Sequence, residues 1–409
     1  MAKPIGILQF QKKGRLSVGR KGKTITKTDG IYGVGFRKIL SELKQPYEYC
    51  TTKTINNYDH VLCSLTSYHD VLLVVKNIPI ERRSQIHIGG PGCNNINPIL
   101  EHIDTANFGR CDNGKINNII HGDEIKSVWC KKTDPGFEGQ YFVDGSSASG
   151  LAGGEQSFGC PQKCGFCFYS HWNKFVKRKT ANRYSSGVGN SEDFFQAIDW
   201  MKCQSGGVSA VDGMNQRTRD KINKPISSQD IIDTLLKSNE IQTKTLLRLK
   251  LYCIAGFPWE TLQDIIEFDF IDIVKKLYKE IKNKIIIRIN FSHFIPFQKT
   301  PLWRAPFNFT DFRDWCVNNP VLFEGENIKV YSSGRYTPSP SLAAVSTIIQ
   351  RATKKHAWLL KILSNDNFLK KTSKDKLIFL KDNAGDLLCA QTIDSIQNII
   401  TPNKFSVSF

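Results

Sequence analysis

The chain of 409 residues has no stretch of 18 or more uncharged apolar residues, which excludes an apolar transmembrane helix. Its N-terminus, MAKPIGILQFQKKGRL, has a short apolar run but neither a signal-peptide core nor a small-residue cleavage site. A cytoplasmic location is the expectation. Acidic residues are the minority: 38 Asp and Glu against 56 Lys and Arg, for a net charge of +18 and a pI near 9.3. A polyanionic partner such as a nucleic acid suits that balance. Lys far outnumbers Arg, however, and Lys, Asn and Ile are all abundant, so an AT-biased coding sequence would give the same excess. Internal repeats and long low-complexity segments are lacking. The 12 cysteines show no dense framework, and a chain 40% hydrophobic can build a core without disulfides. Only three cysteines stand close together.

Three regions follow from the patterning. From about residue 30 to 120 helix-like and strand-like segments alternate: Ile31 to Leu43 has helical apolar spacing, Val61 to Leu65 reads as a buried strand, Val71 to Val75 as helix and Gln85 to Ile88 as strand. That strand ends at Gly89-Gly90-Pro91-Gly92. Alternation of this kind predicts a Rossmann- or flavodoxin-like parallel sheet over residues 1–147, with ligands bound outside the carboxyl ends of its strands. A second α/β block, 148–335, begins with Gly150, Gly153, Gly154 and Gly159. It carries strand candidates at Val208 to Val211, Leu246 to Ile254, Ile285 to Asn290 and Ile328 to Tyr331. Ser227-Ser228-Gln229-Asp230 forms a helix-capping pattern ahead of Ile231, Ile232, Leu235 and Leu236. Residues 336–409 read as helical and basic, with Lys354, Lys355, Lys361, Lys370, Lys371, Lys374 and Lys376. Such a run is either a solvated surface or a face for RNA.

The three clustered cysteines are Cys160, Cys164 and Cys167, in FGCPQKCGFCFY. Tetrahedral zinc would need two paired sets or a completing His, for which His171 is the nearest candidate. A cubane iron–sulfur cluster normally takes four thiolates. Three leave one iron open to a small molecule bearing an amine and a carboxylate. Gly159, Pro161 and Gly165 suit a loop that wraps such a cluster.

The C-x3-C-x2-C spacing, with Phe166 just before the last cysteine, resembles the signature of the radical SAM superfamily. The resemblance implies a partial (β/α) barrel, a [4Fe–4S] cluster held by Cys160, Cys164 and Cys167, and S-adenosylmethionine chelated on the open iron. Reductive cleavage of that sulfonium to a 5′-deoxyadenosyl radical is the activity it implies. VDGMNQRTRDKINK, residues 211–224, resembles the superfamily's E-x-G-S-x-R…NK segment, and Asn215 and Arg217 then hold the SAM carboxylate. Arg supplies a forked, charge-assisted donor for that task, although Arg217 and Arg219 also read as helix-surface charge. LYCIAGFPWET, residues 251–261, is similar to the family's Y-x-I-x-G-x-P-G-E-T strand and turn, which sets Gly256 and Pro258 beside adenine; Trp259 stands where Gly is common. FIPFQKTPL, residues 294–302, resembles a segment near the barrel's end. Tyr169, Trp172 and Tyr252 are candidate pocket aromatics or plain core.

The progression Val61–Ser67, Ile86–Gly92 and Asn107–Arg110 resembles the cobalamin-binding domain fused to many radical SAM enzymes. It implies cobalamin as a further cofactor, facing Gly89 and Gly90. Cys93 follows where His is typical, Cys111-Asp112-Asn113-Gly114 replaces an acidic turn, and the D-x-H-x-x-G motif for cobalt is absent. Only 44 residues separate Cys167 from Asp212, so a shortened barrel is expected. Gly153-Gly154-Glu155 precedes the cysteines and does not match the family's Gly-Gly-Glu segment. The resemblance implies an enzyme, fed by an external electron donor, that modifies an unactivated carbon, with methyl transfer the commonest outcome in that subclass. The basic balance keeps a nucleic-acid-modifying enzyme, such as a tRNA methylthiotransferase, as an alternative. A non-enzymatic basic nucleic-acid-binding protein with a structural metal is the third reading.

Overall fold

Short β-branched and apolar runs broken by helices produce two large sheets and a two-stranded ribbon among the described residues. The structure, a computed structural model, describes residues 3–8, 10, 34–111, 114–136, 157–158, 160, 162–172, 176–177, 206–241, 246–266, 269–310, 312–336 and 338–389. Gly150, Gly153, Gly154, Glu155, Gly159 and Pro161 lie outside the described residues, as does the segment 194–201. The chain forms two compact units, one of residues 1–155 with 349–371 and one of residues 156–348 with 372–409. The basic C-terminal stretch therefore contributes to both.

Among the described residues the first unit holds six strands: β1 (Ile5–Leu8), β2 (Tyr47–Cys50), β3 (His60–Ser64), β4 (Gln85–Gly89), β5 (Thr105–Asn107) and β6 (Val128–Cys130). Their order is β2-β1-β3-β4-β5-β6. The first five are parallel and β6 runs antiparallel to β5. The expected strands at 61–65 and 85–88 are β3 and β4. The expected helices are α1 (Val34–Ser41) and α2 (Asp70–Asn77), and a third, α3 (Lys115–His121), follows β5. Leu40, Ile116, Ile119 and Ile120 from α1 and α3 bury one face of the sheet with Ile5, Ile7 and Leu62. On α2, Asp70 accepts from the backbone N–H of Thr66 (2.7 Å) and Ser67 (3.0 Å), fixing the β3–α2 loop. Across β3, β4 and β5, His87 Nε2 meets His60 Nδ1 at 3.0 Å and His87 Nδ1 meets Thr105 Oγ1 at 2.9 Å. Burial pushes the His87 pKa down to about 3, so this internal imidazole is neutral.

Asn95 closes the same unit around its C-terminal contribution. Its buried amide nitrogen donates to the carbonyls of Ile349 (2.8 Å) and Ala352 (2.7 Å) at the end of a helix. Such terminal carbonyls have no partner within the helix, which is why a side-chain amide suits them. Beyond it, Lys354, Lys355, Lys361, Lys370 and Lys371 are all exposed.

In the second unit, β7 (Ser157–Phe158) and β8 (Val176–Lys177) pair antiparallel on either side of the cysteines, and α4 (Phe168–Trp172) follows the last of them. The main sheet comprises β9 (Gly206–Asp212), β10 (Leu246–Ala255), β11 (Lys284–His293), β12 (Val321–Glu324) and β13 (Ile328–Tyr336), in the order β12-β13-β11-β10-β9. All four strand candidates of this block are strands. Only β12 runs antiparallel. Between β9 and β10 stand α5 (Gln216–Lys221) and α6 (Ser228–Ile241); α7 (Leu262–Ile266) and α8 (Asp269–Leu277) precede β11. Ser227 and Asp230 cap α6 reciprocally, the Asp230 carboxylate accepting from Ser227 N (2.8 Å) and Ser227 Oγ from Asp230 N (3.0 Å). Ile231 and Leu235 then bury against Leu247, Leu249 and Leu251 of β10 and Ile285, Ile287 and Ile289 of β11. This is a mixed α/β protein with two mainly parallel sheets, as the alternation implies.

Candidate functional site

The site is built at the carboxyl ends of β9 and β10, where crossover connections leave backbone groups free for ligands. The loop of Cys160, Cys164 and Cys167 is fastened there by its own backbone. Gly165 N donates to the Ile222 carbonyl (2.7 Å), Leu302 N to the Gly165 carbonyl (3.1 Å), and Cys167 N to the Cys164 carbonyl (3.0 Å). Asn223 Nδ2 reaches back to the Gln162 carbonyl at 3.2 Å. His171, the nearest candidate for a fourth ligand, uses Nε2 to donate to the Cys164 carbonyl (3.1 Å). A carbonyl only accepts, so Nε2 carries the proton and holds the loop. Phe166 enters a cluster with Ile222, Phe257, Phe294 and Leu302. Its ring lies 6.1 Å from that of Phe257 at 67°. The residue before the last cysteine thus docks the loop onto the turn that follows β10.

At the end of β9, Asp212 adopts a left-handed backbone (φ 61°), and a Cβ on Gly213 would sit 2.8 Å from the Arg219 backbone nitrogen. Asp212 pairs with Lys224 at 2.6 Å, both buried. Burial alone would drive Lys224 to lose its proton, but the Asp212 carboxylate and the thiols of Cys164 and Cys160 hold its pKa above the ordinary value. Cys164, in turn, is pushed up to about 12 by burial, against the pull of Lys224. An ammonium is therefore fixed beside two of the three thiols. In the sequence Lys224 is legible only as the second residue of the NK pair that ends the segment 211–224.

The two carboxylate-binding candidates part ways. Asn215 is the N-cap of α5, its Oδ1 accepting from Thr218 N at 2.9 Å, so its backbone-facing role is already taken. Arg217 stays on the surface, its side chain 60% exposed and ion-paired with Asp264. Arg219 is wholly buried. It donates to the carbonyls of Ile226 (2.9 Å) and Gly213 (3.2 Å), to Ser228 Oγ (2.7 Å), and to Asp269 (3.2 Å). Arg219 bolts α5 to β9, α6 and α8 and is not a helix-surface charge.

The turn after β10 is the most tightly specified part. Gly256 has φ +86°, and a Cβ there would lie 2.4 Å from the His293 ring. The Glu260 carboxylate is buried beneath it and accepts from Gly256 N (2.8 Å), Phe257 N (3.0 Å) and Thr218 Oγ1 (3.2 Å). Asn308 donates to the carbonyls of Phe257 (2.9 Å) and Glu260 (2.8 Å). Burial lifts the Glu260 pKa to about 7, while the two backbone donors oppose it. Glu260 joins α5 to the turn carrying Gly256 and Pro258; it was legible only as the acid of the GFPWE motif. The Trp259 ring stacks on Phe257 at 5.4 Å and 7°, with its buried Nε1 unpartnered. Tyr169 (38% exposed) and Tyr252 (41% exposed) are surface-reaching, and Lys250 Nζ lies 4.9 Å from the Tyr252 ring centre.

In the first unit the glycines divide. Gly90 (φ +102°) has the Leu65 carbonyl oxygen 2.5 Å from where a Cβ would stand, and Gly92 has the Ser67 oxygen at 2.4 Å. Gly92 N also donates to the Leu65 carbonyl (2.9 Å). These glycines let two strand-end loops close on each other. At Gly89 a Cβ would meet Asn107 Cβ at an ordinary 3.8 Å. In the same loop Asn94 is 5% exposed and its Nδ2 has no hydrogen-bond partner.

Among the described residues no three His, Cys, Asp or Glu side chains are gathered for a single metal ion, and no helix is long and apolar enough to cross a membrane. No known protein family matches the sequence, and no curated protein matches it. Among solved structures, the chain is similar to the cobalamin- and [4Fe–4S]-bound radical S-adenosylmethionine methyltransferase TsrM from Kitasatospora setae. The identity is 9%, with 89% of this chain and 99% of that one covered and a TM-score of 0.46. It is also similar to the cobalamin-dependent S-adenosylmethionine radical enzyme OxsB, at 9% identity, with 94% of this chain and 61% of that chain covered and a TM-score of 0.32.

Proposed function

We propose that this chain is a radical SAM enzyme whose cluster is held by Cys160, Cys164 and Cys167. The observation that carries this reading is the stitching of the cysteine loop, through Gly165 to Ile222 and Phe166 to Phe257, onto the strand ends bearing Asp212, Asn215 and Gly256. Three thiols on one short loop fit a cluster, because a cubane takes each thiolate on a different iron. Lys224 fits it too, since a buried ammonium offsets the charge the thiolates gain when they release their protons to metal. When bound, the cluster and S-adenosylmethionine would supply the electron transfer and radical chemistry, leaving the protein to bind and orient. The residues' share is then specific. Arg217, reachable from solvent, offers a forked donor to the SAM carboxylate in exchange for Asp264. Asn215 keeps α5 in place and can present its amide nitrogen, which lies 3.5 Å from the Asp264 carbonyl. Glu260 fixes the Gly256–Pro258 turn so that its backbone meets adenine in one conformation, and Phe257 and Trp259 exclude water there.

For cobalamin the first unit offers Gly89, where backbone can approach closely, and the unpartnered Asn94 amide as a donor for a corrin side-chain amide. Those features support corrinoid binding at the carboxyl edge of the first sheet, and methyl transfer to an unactivated carbon as the reaction. Anaerobic reconstitution tests the core of this reading. A protein that takes up iron and sulfide, changes its cluster spectrum on addition of S-adenosylmethionine and releases 5′-deoxyadenosine after reduction supports it. A colourless protein that takes up zinc instead overturns it.

A further inference from the structure

Parallel sheets are normally covered on both faces and read as continuous apolar runs. Among the described residues of the second unit, one face of the sheet is built that way. Along β10 and β11 residues alternate between buried and more accessible positions, so Leu247, Leu249, Leu251 and Ile285, Ile287, Ile289 enter the core. The opposite face carries Leu246, Arg248, Lys250, Tyr252 and Ile254 on β10, Lys284, Ile286, Arg288 and Asn290 on β11, and Lys329 and Tyr331 on β13. Arg248, Lys284 and Arg288 are exposed. The three strands contain no acidic residue. The register sets Lys250 directly beside Arg288, and Arg288 directly beside Tyr331, on adjacent strands. Two like charges side by side on one face destabilise a sheet. The neutralisation provided within the sheet is limited: Glu324 of the antiparallel edge strand pairs with Lys329 at 2.5 Å. Two tyrosines lie among the cations, with Lys250 Nζ 4.9 Å from the Tyr252 ring and Lys329 Nζ 5.0 Å from the Tyr331 ring.

From this juxtaposition we infer that the basic face of the second sheet binds a single-stranded nucleic acid, and that this is the substrate class of the proposed enzyme. Phosphates would settle on the Lys250–Arg288 pair, relieving a repulsion the fold otherwise carries. Unstacked bases would lie on Tyr252 and Tyr331, since a base stacks on an aromatic ring whatever its sequence. Asn290 and Ser292 continue the face toward the carboxyl ends of the strands, where the cysteine loop and the Gly256 turn are placed. Tyr252 is four residues before Gly256, roughly 13 Å along an extended strand, so a strand bound here has a nucleotide within reach of that end. A duplex would not present free base faces to the tyrosines. The inference rests on the proposed function for its catalytic meaning, but nucleic-acid binding stands or falls by itself.

The test is binding of a fluorescent single-stranded RNA of about a dozen nucleotides to the full chain, read by anisotropy across a salt series. The intact protein should bind it more tightly than the matching duplex. Lys250→Gln with Arg288→Gln should lower the slope of log affinity against log salt by about 1.4, for two phosphate contacts on a single strand. The same double variant should melt at the same temperature as the parent or higher, because it removes a repulsion; a merely structural pair would melt lower. Tyr252→Ala should weaken binding on the order of tenfold. Equal affinity for duplex and single strand, an unchanged salt slope in the double variant, or no RNA binding at all would overturn the inference. Failure of the cluster experiment with RNA binding intact would remove the enzyme and leave the binding face; the reverse pattern would keep the enzyme and exclude this substrate class.

Discussion

The two sheets end in glycine turns that resemble each other in sequence and differ in how they are held. After β4, Gly90 and Gly92 let the loop close on the β3 loop, backbone against backbone, with oxygens 2.5 and 2.4 Å from where a Cβ would sit. After β10, Gly256 lies on a buried histidine and donates its N–H to a buried carboxylate. The first turn is held by packing against the β3 loop, which the buried Asp70 carboxylate fixes through the N–H groups of Thr66 and Ser67. The second is wired to Thr218 on α5 by Glu260 and so shares its position with Asn215 and Arg217. A strand-end glycine therefore says that backbone must come close to something. Whether that something is the protein's own loop or a ligand depends on the space beside each glycine.

The largest effect expected from breaking this contrast is at Arg219. Arg219→Ala should cost about 3–5 kcal/mol, because it removes a wholly buried guanidinium and leaves the carbonyls of Ile226 and Gly213 without their donor; a denaturant midpoint comparable with the parent's would contradict the bolt assigned to it. Next come the crowded glycines. Gly90→Ala and Gly256→Ala should each destabilise by about 3 kcal/mol or more, combining a strained φ with a direct clash. Gly89→Ala, by contrast, should stay within about 1 kcal/mol, and if it still lowers corrinoid uptake, Gly89 faces that cofactor. Smaller still, Arg217→Ala should change stability by no more than about 1 kcal/mol, as exposed pairs do, while weakening S-adenosylmethionine binding measured by calorimetry. Undiminished binding would remove Arg217 from the carboxylate clamp.

Proton linkage gives the mildest contrast, with opposite signs for Glu260 in the second unit and His87 in the first. Glu260 is lifted by burial from 4.5 to about 7, so its contribution to stability is fully present below 4.5 and is lost as pH rises through about 7. His87 is depressed by burial from 6.5 to about 3, so its contribution is present above 6.5 and lost as pH falls toward 3. His293, lowered by burial to about 4, adds an acid limb of the same sign in the second unit. Melting curves across pH should show Glu260→Gln flattening the limb between 4.5 and 7, and His87→Gln flattening part of the acid limb. An unaltered profile in either variant would show that its group does not titrate on unfolding.

Much of this was legible in the sequence. Apolar runs of strand length gave away β3, β4, β10, β11 and β13, since about five to ten such residues suffice for one buried strand. The capping pattern at Ser227 and Asp230 named the start of α6 to within a residue. The roles of Arg217 and Arg219 were not separable, because one position in a helix decides whether a guanidinium meets solvent or core, and a six-residue helix gives no periodicity to read. Glu260 and Lys224 were visible only inside motifs. Their burial comes from contacts with Thr218 and Asp212, 42 and 12 residues away, which local pattern does not encode. The basic face of the second sheet is not legible in the sequence, because its cations alternate with core residues and look, one strand at a time, like ordinary surface.

The most direct measurement is iron and acid-labile sulfide content of the anaerobically reconstituted chain beside its Cys160→Ala, Cys164→Ala and Cys167→Ala variants, with electron paramagnetic resonance of the reduced protein before and after S-adenosylmethionine. A cubane's complement of iron in the parent, lost in every single variant, with a signal that shifts when S-adenosylmethionine is added, is the expected result. Full iron retention in any one of the three variants, or a signal that ignores S-adenosylmethionine, would contradict a cluster held by these three thiols with one iron left open.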